Sequence, residues 1–180
     1  MTRHKQQATV VKYLLLLPLL ALAQPALAAR TQLGVFGSWA ALRDTRPTLT
    51  CFVIAEVPNT LTGKRRGPNY VTVAIAPRRG IDAQVHWAAG FPIDSTYPVS
   101  LTAGTRHFAL LPRGDSAWAA DPATDAQIVN SLRRLRSMTL KARSRRGSSV
   151  TEQLSLEGFS AAFDTAQSAC SLSSKPSTQP

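Results

Sequence analysis

Few residues in this sequence could do chemistry, and their spacing narrows the choice further. Two of the three histidines, His86 and His107, fall on neighbouring segments that read as strands. A metal site needs a third ligand, and no Cys, Asp or Glu stands at a ligand spacing beside either one. Both read as ordinary strand histidines, and no metal is expected. Serine hydrolysis needs an activated nucleophile, but Gly37-Ser38 continues into Trp39 and Ala40, which breaks the nucleophile-elbow pattern. The ten acids are scattered through turns and helix ends. Whether any two sit close enough for glycoside chemistry is a tertiary property. No phosphate-cradling glycine loop or dinucleotide fingerprint is present. No catalytic residue and no cofactor is assigned, and the reading is not an enzyme. An envelope hydrolase with a site of unrecognised form is the alternative, and a structural or stress-response protein is a third.

The more pronounced feature is positive charge. The chain carries 21 Lys and Arg against 10 Asp and Glu, a formal net charge of +11. The basic residues cluster as Lys64-Arg65-Arg66, Arg78-Arg79, Arg133-Arg134-Arg136 and Arg143-Arg145-Arg146. The first, second and fourth clusters fall in expected turns. Lys64, Arg65, Arg66, Arg78, Arg79, Arg145 and Arg146 could therefore gather at one end of a domain. Such a patch would attract anionic lipid or acidic glycan. A solvated basic surface without a ligand is the competing reading. Nucleic-acid binding usually adds stacking aromatics to a basic groove, and here the tryptophans read as core. No nucleic-acid partner is expected.

The N-terminus bears on where this charge acts. Arg3, Lys5 and Lys12 precede an apolar run from Tyr13 to Ala23, and Ala26-Leu27-Ala28 places small residues where signal peptidase reads. Residues 1–28 therefore read as a cleaved signal peptide. The apolar run is short of the ~20 residues a membrane span needs, so no span is expected after cleavage. Removing 28 residues from 180 leaves 152, with three fewer basic residues and a net charge of +8. That length suits one domain with its own core. The expected division is a signal peptide (1–28), one domain (29–170) and a disordered Ser/Pro/Thr-rich tail (171–180). The expected location is periplasmic or secreted. Export leads to an oxidising compartment, where an even cysteine count reads as a bridge. Cys51 and Cys170 are the two cysteines. Two buried thiols are the alternative.

These residues must be positioned by strands. Residues 29–46 read as a polar approach to the domain. Cys51, Val53 and Ala55 begin the alternating pattern, followed by Tyr70–Ala76 and by Ala83, Val85, Trp87 and Ala89. Short strands are expected near Tyr97–Leu101, Arg106–Leu111 and Asp115–Ala120. Asp121-Pro122 then reads as a helix start, with Ile128, Val129, Leu132 and Leu135 at helical spacing. Strands return at Met138-x-Leu140-x-Ala142 and around Val150, Leu154 and Leu156. A short helix carries Phe159, Ala162, Phe163 and Ala166. Phe159 and Phe163 are expected to plug one end of the core, and Trp39 the other. The fold class is mainly β, an antiparallel sandwich with one late crossing helix and a short C-terminal helix. A two-layer α+β fold is the rival.

Three stretches together resemble the invasion-associated locus B family of exported bacterial proteins. They are Phe36-Gly37-Ser38-Trp39 followed by Cys51, the block of strands ending near Trp118 with a helix and Met138-Thr139-Leu140 after it, and Ser155-Leu156-Glu157-Gly158-Phe159-Ser160-Ala161-Ala162. The resemblance spans most of the chain after the leader. It implies an immunoglobulin-like β-sandwich in the periplasm or at the cell surface, and it carries no functional residues with it. This chain lacks a mid-chain cysteine pair common in that family.

Overall fold

The computed structural model describes residues 30–58 and 67–174. It contains ten strands and two helices. They are β1 (Arg30–Phe36), β2 (Trp39–Asp44), β3 (Thr50–Glu56), β4 (Tyr70–Ala76), β5 (Ile81–Ala88), β6 (Val99–Ala103), β7 (Arg106–Arg113), β8 (Ser116–Ala119), α1 (Pro122–Leu132), β9 (Ser137–Arg143), β10 (Ser149–Ser155) and α2 (Phe159–Ser174). The strands form one antiparallel sheet in the order β1-β2-β3-β4-β5-β8-β7-β6-β9-β10. The fold is mainly β, as the alternating patterns imply.

Alternation places one side of each strand inward. Trp39, Ala41, Cys51, Val53, Val71, Val73, Val85, Trp87, Leu101 and Leu140 are all fully buried. The sheet folds over its own core. Glu152 of β10 bonds to Asn69, next to β4. Three residues later the Ser155 carbonyl accepts from Trp39 Nε1, on β2, at 3.0 Å. Three residues of strand cover ~10 Å, the width of two strand spacings. Strand β10 therefore runs across β4, β3 and β2, and the two layers are halves of one continuous sheet.

Helix α2 lies along the same inward face. Its first residue, Phe159, meets Trp39 edge-to-face with ring centroids 4.9 Å apart. Its buried Cys170 is bonded to Cys51 of β3, with Cα atoms 5.9 Å apart. The bridge expected from compartment and parity is present. Trp39 and Phe159 thus share one corner of the core and do not plug opposite ends. The helix is also longer than expected, reaching Ser174, so residues 171–174 belong to it and not to a tail.

A second difference lies at the N-terminal side, where residues 30–44 form a hairpin and not an approach loop. A register shift between Gln32 and Gly34 breaks the alternation of β1, and a bulge of this kind hides the period-two signal. Helix α1 begins as its sequence indicates. Asp121 Oδ1 accepts from Thr124 N at 2.7 Å, and Pro122 opens the first turn. Its stripe is Ile128, Val129 and Leu132, all buried, while Leu135 lies beyond the helix end. Strand β8 pairs with β5 only at residues 86–88. Helix α1 covers the edge this leaves, and Asp125 Oδ1 accepts from Val85 N at 2.7 Å. Burial raises the Asp125 pKa, which this hydrogen bond opposes.

Candidate functional site

The register decides which basic turns meet. Arg78 and Arg79 sit in the exposed turn between β4 and β5. Arg145 and Arg146 sit in the exposed turn between β9 and β10. Arg145 N donates to the Pro92 carbonyl at 2.9 Å, just past the far end of β5. The eight residues of β5 put ~26 Å between the two turns at the usual rise per residue. The structure thus separates Arg78 and Arg79 from Arg145 and Arg146. Lys64, Arg65 and Arg66 lie outside the described residues. The glycine that follows them, Gly67, donates from its backbone to the Gly90 carbonyl at 2.9 Å.

Around residues 90–97 several elements converge. Ile93 N donates to the Gly114 carbonyl and Asp94 N to the Arg143 carbonyl, both at 2.8 Å. These bonds bring the ends of β7 and β9 to one corner, and with them Arg113, Arg143, Arg145 and Arg146. The Arg143 guanidinium lies 4.1 Å from the centre of the Tyr97 ring, a cation–π contact. Asp94 Oδ1 accepts from Thr96 Oγ1 at 2.7 Å and from Thr96 N at 3.1 Å. These hydrogen bonds, and then the charges of Arg143 and Arg145, hold its carboxyl below the usual range. The corner carries four arginines and can attract an anion.

Other arginines have structural roles. Arg133 pairs with Asp164 of α2 and lies 5.3 Å over the Phe163 ring. Arg106 Nη2 donates to Gln127 Oε1 at 2.7 Å. Of the cluster at 133–136, Arg133 ties the end of α1 to α2, while Arg134 and Arg136 are exposed.

The histidines do not converge. His86 pairs with Trp118, which pairs with Leu111. His107 is four residues from Leu111 along β7, about 13 Å of strand, so the two imidazoles share no ligand. His107 Nδ1 is 2.9 Å from Thr102 Oγ1. The His86 ring lies 4.8 Å from that of Trp118. Its partial burial lowers its pKa, and the charge of Asp115 opposes that shift. No cluster of three metal-ligating side chains occurs among the described residues.

Two features escaped the sequence reading. Trp118 is not core: its neighbour Ala117 points inward and is fully buried, so the indole faces out. Glu152 is buried beneath the crossing of β10. Asn69 Nδ2 donates to Glu152 Oε2 at 3.1 Å and to the Val57 carbonyl at 3.0 Å. Trp87 Nε1 donates to Asn69 Oδ1 at 3.1 Å. The network ties β10 to β4 and β5. Its signal was available in Val150-x-Glu152-x-Leu154, where the acid shares the parity of two core residues.

A model of the invasion-associated locus B protein family matches residues 68–167, more than half of the chain. The crystal structure of invasion associated protein B from Bartonella henselae is similar, with a TM-score of 0.56. The two are 17% identical, and the match covers 76% of this chain and 96% of that one. At that identity the likeness is one of fold. No curated protein matches the sequence.

Proposed function

The chain belongs to the invasion-associated locus B family, and from that premise we propose that it is an exported, non-enzymatic envelope protein that binds an anionic envelope or host-surface ligand. The observation that carries the reading is the corner around residues 90–97, where Arg113, Arg143, Arg145 and Arg146 are gathered from two strand ends. Export is supported by the buried Cys51–Cys170 bridge, which persists in oxidising compartments. No helix among the described residues is long and apolar enough to cross a membrane.

Protein recovered from a periplasmic extract should have an intact mass that begins at Ala29. On a column of dextran sulfate it should be retained at ~0.1 M salt and released before ~1 M, as the screening length shrinks from about 10 Å to about 3 Å. Retention that survives the higher salt, or passage without retention at the lower, would refute the anion reading. A periplasmic species still carrying Met1 would refute processing.

A further inference from the structure

We propose that the anionic ligand is the surface of a lipid bilayer, and that Tyr97 and Leu111 enter it beside the arginine corner. The proposal rests on the anion reading above and narrows it to one ligand class.

The outward side of the sheet carries an unusual row. Cross-strand pairing joins Val35 to Ala40, Ala40 to Ile54, Ile54 to Thr72, Thr72 to His86, His86 to Trp118 and Trp118 to Leu111. Each residue alternates with an inward neighbour, so all seven share the outer face. The large apolar side chains left exposed among the described residues are Val35 at 62%, Leu111 at 54% and Tyr97 at 45%. Two of these three stand at the basic corner.

The register puts charge next to them. Leu110 pairs with Val99, and Ser100 pairs with Lys141. Continued to residue 98, one step past Val99 and two past Ser100, these registers set Leu111 and Arg143 on either side of it in the same row, two strand spacings or ~10 Å apart. Arg113 is two residues beyond Leu111 on the same outward parity, and Lys141 is two before Arg143. Tyr97 fills this space, its ring against the Arg143 guanidinium. With Arg145 and Arg146 in the adjoining turn, five cations surround two exposed apolar side chains. Asp94 and Asp115 are the acids of the corner, so positive charge remains in excess.

The combination discriminates between anions. A soluble acidic glycan would be held by charge and by hydrogen bonds, and it would have no use for Leu111. A bilayer with anionic head groups uses both parts. The cations sit at the head groups, worth about a fivefold gain in affinity each. Tyr, with an apolar ring and a polar tip, suits the interfacial depth, and Leu111 reaches the acyl boundary.

The test compares the processed protein with a Tyr97→Ser/Leu111→Ser variant. Both are titrated with vesicles of phosphatidylcholine alone, with vesicles containing phosphatidylglycerol, and with soluble dextran sulfate. Wild type should bind the anionic vesicles and not the neutral ones. The double variant should bind anionic vesicles at least about tenfold more weakly, since the loss from one exposed aliphatic side chain that no longer leaves water already amounts to that, and should bind dextran sulfate as before. Leu111→Trp should tighten vesicle binding and keeps the test open if the double variant misfolds. Vesicle affinity unmoved by any of these changes would overturn the proposal. Binding to dextran sulfate but to no vesicle would overturn it and leave the anion reading standing. Binding to neither would end both.

Discussion

Replacing Cys51 and Cys170 together by alanine should lower the unfolding free energy by about 4–5 kcal/mol. The bridge closes a loop whose ends are 119 residues apart, and constraining a chain of that length in the unfolded state is worth about 4.7 kcal/mol in the chain-entropy account. It is also the covalent tie between α2 and β3, which otherwise rest on apolar contact. For a domain of this size each kcal/mol moves the melting temperature by about 2–4 °C, so a fall of roughly 10–15 °C is expected. Urea unfolding of the wild type and the double variant measures the difference. A loss below ~1 kcal/mol would mean that the packing of Phe159, Phe163 and Ala166 holds the helix without the bridge.

Gly158→Ala should cost about as much by a different route. Gly158 has a φ of +85°, and a Cβ there would lie 1.9 Å from the Phe36 carbonyl oxygen. The obstacle is backbone, so no side chain can rotate away. Relief requires the β1–β2 turn to move off the end of β10. That movement breaks the bond from Ser38 N to the Glu157 carbonyl and the bond from Trp39 Nε1 to the Ser155 carbonyl. It also opens the Trp39–Phe159 contact. Deleting a buried aromatic side chain outright costs about 3–5 kcal/mol, and dislodging Trp39 and Phe159 from their packing, with two hydrogen bonds lost, is expected to cost as much. Gly80 provides the control. Its φ is +66°, yet nothing lies within 4 Å of its would-be Cβ. Gly80→Ala should cost only the ~1–2 kcal/mol of a left-handed backbone. Equal losses at the two positions in urea unfolding would show that the close approach contributes nothing.

Local pattern carried much of the fold. Tyr70–Ala76 could be read to the residue, because every second side chain in it is apolar and inward. The start of α1 was legible because Asp121 and Pro122 are the residue types its first turn requires. The bridge followed from parity and compartment. What failed was information that no short window contains. The β1–β2 hairpin was hidden by a bulge. Tryptophan is usually buried, so residue type alone makes Trp118 core, whereas its direction is fixed by Ala117. Phe159 and Trp39 meet only because β10 crosses the first half of the sheet.

The candidate site shows the same division. The basic turns were visible as sequence clusters, but their placement depends on strand order. Strands β8, β7 and β6 lie between β5 and β9, and this order sends the β9–β10 turn to the far end of β5 from Arg78 and Arg79. Arg143 was part of a recognised cluster, and its contact with Tyr97 was not readable. A lone leucine on a strand is ordinary, and only the exposure of Leu111 beside the arginines gives it meaning.

A particular corner, and not net charge, is expected to draw the anionic surface. Two triple variants test it, each with three arginines changed to glutamine. One carries Arg143→Gln, Arg145→Gln and Arg146→Gln at the corner. The other carries Arg78→Gln and Arg79→Gln at the opposite end, with Arg46→Gln in the exposed β2–β3 loop that the Cys51–Ile75 pairing sets beside that turn, so both lose the same charge. Their affinities for phosphatidylglycerol vesicles are measured at physiological ionic strength, where exposed charges are screened over about 8 Å. The corner variant should bind about a hundredfold more weakly, at roughly fivefold per cation, and the distal variant should stay within about twofold of wild type on the same screening grounds. Equal losses in the two would assign the attraction to the charge of the whole surface and not to the corner.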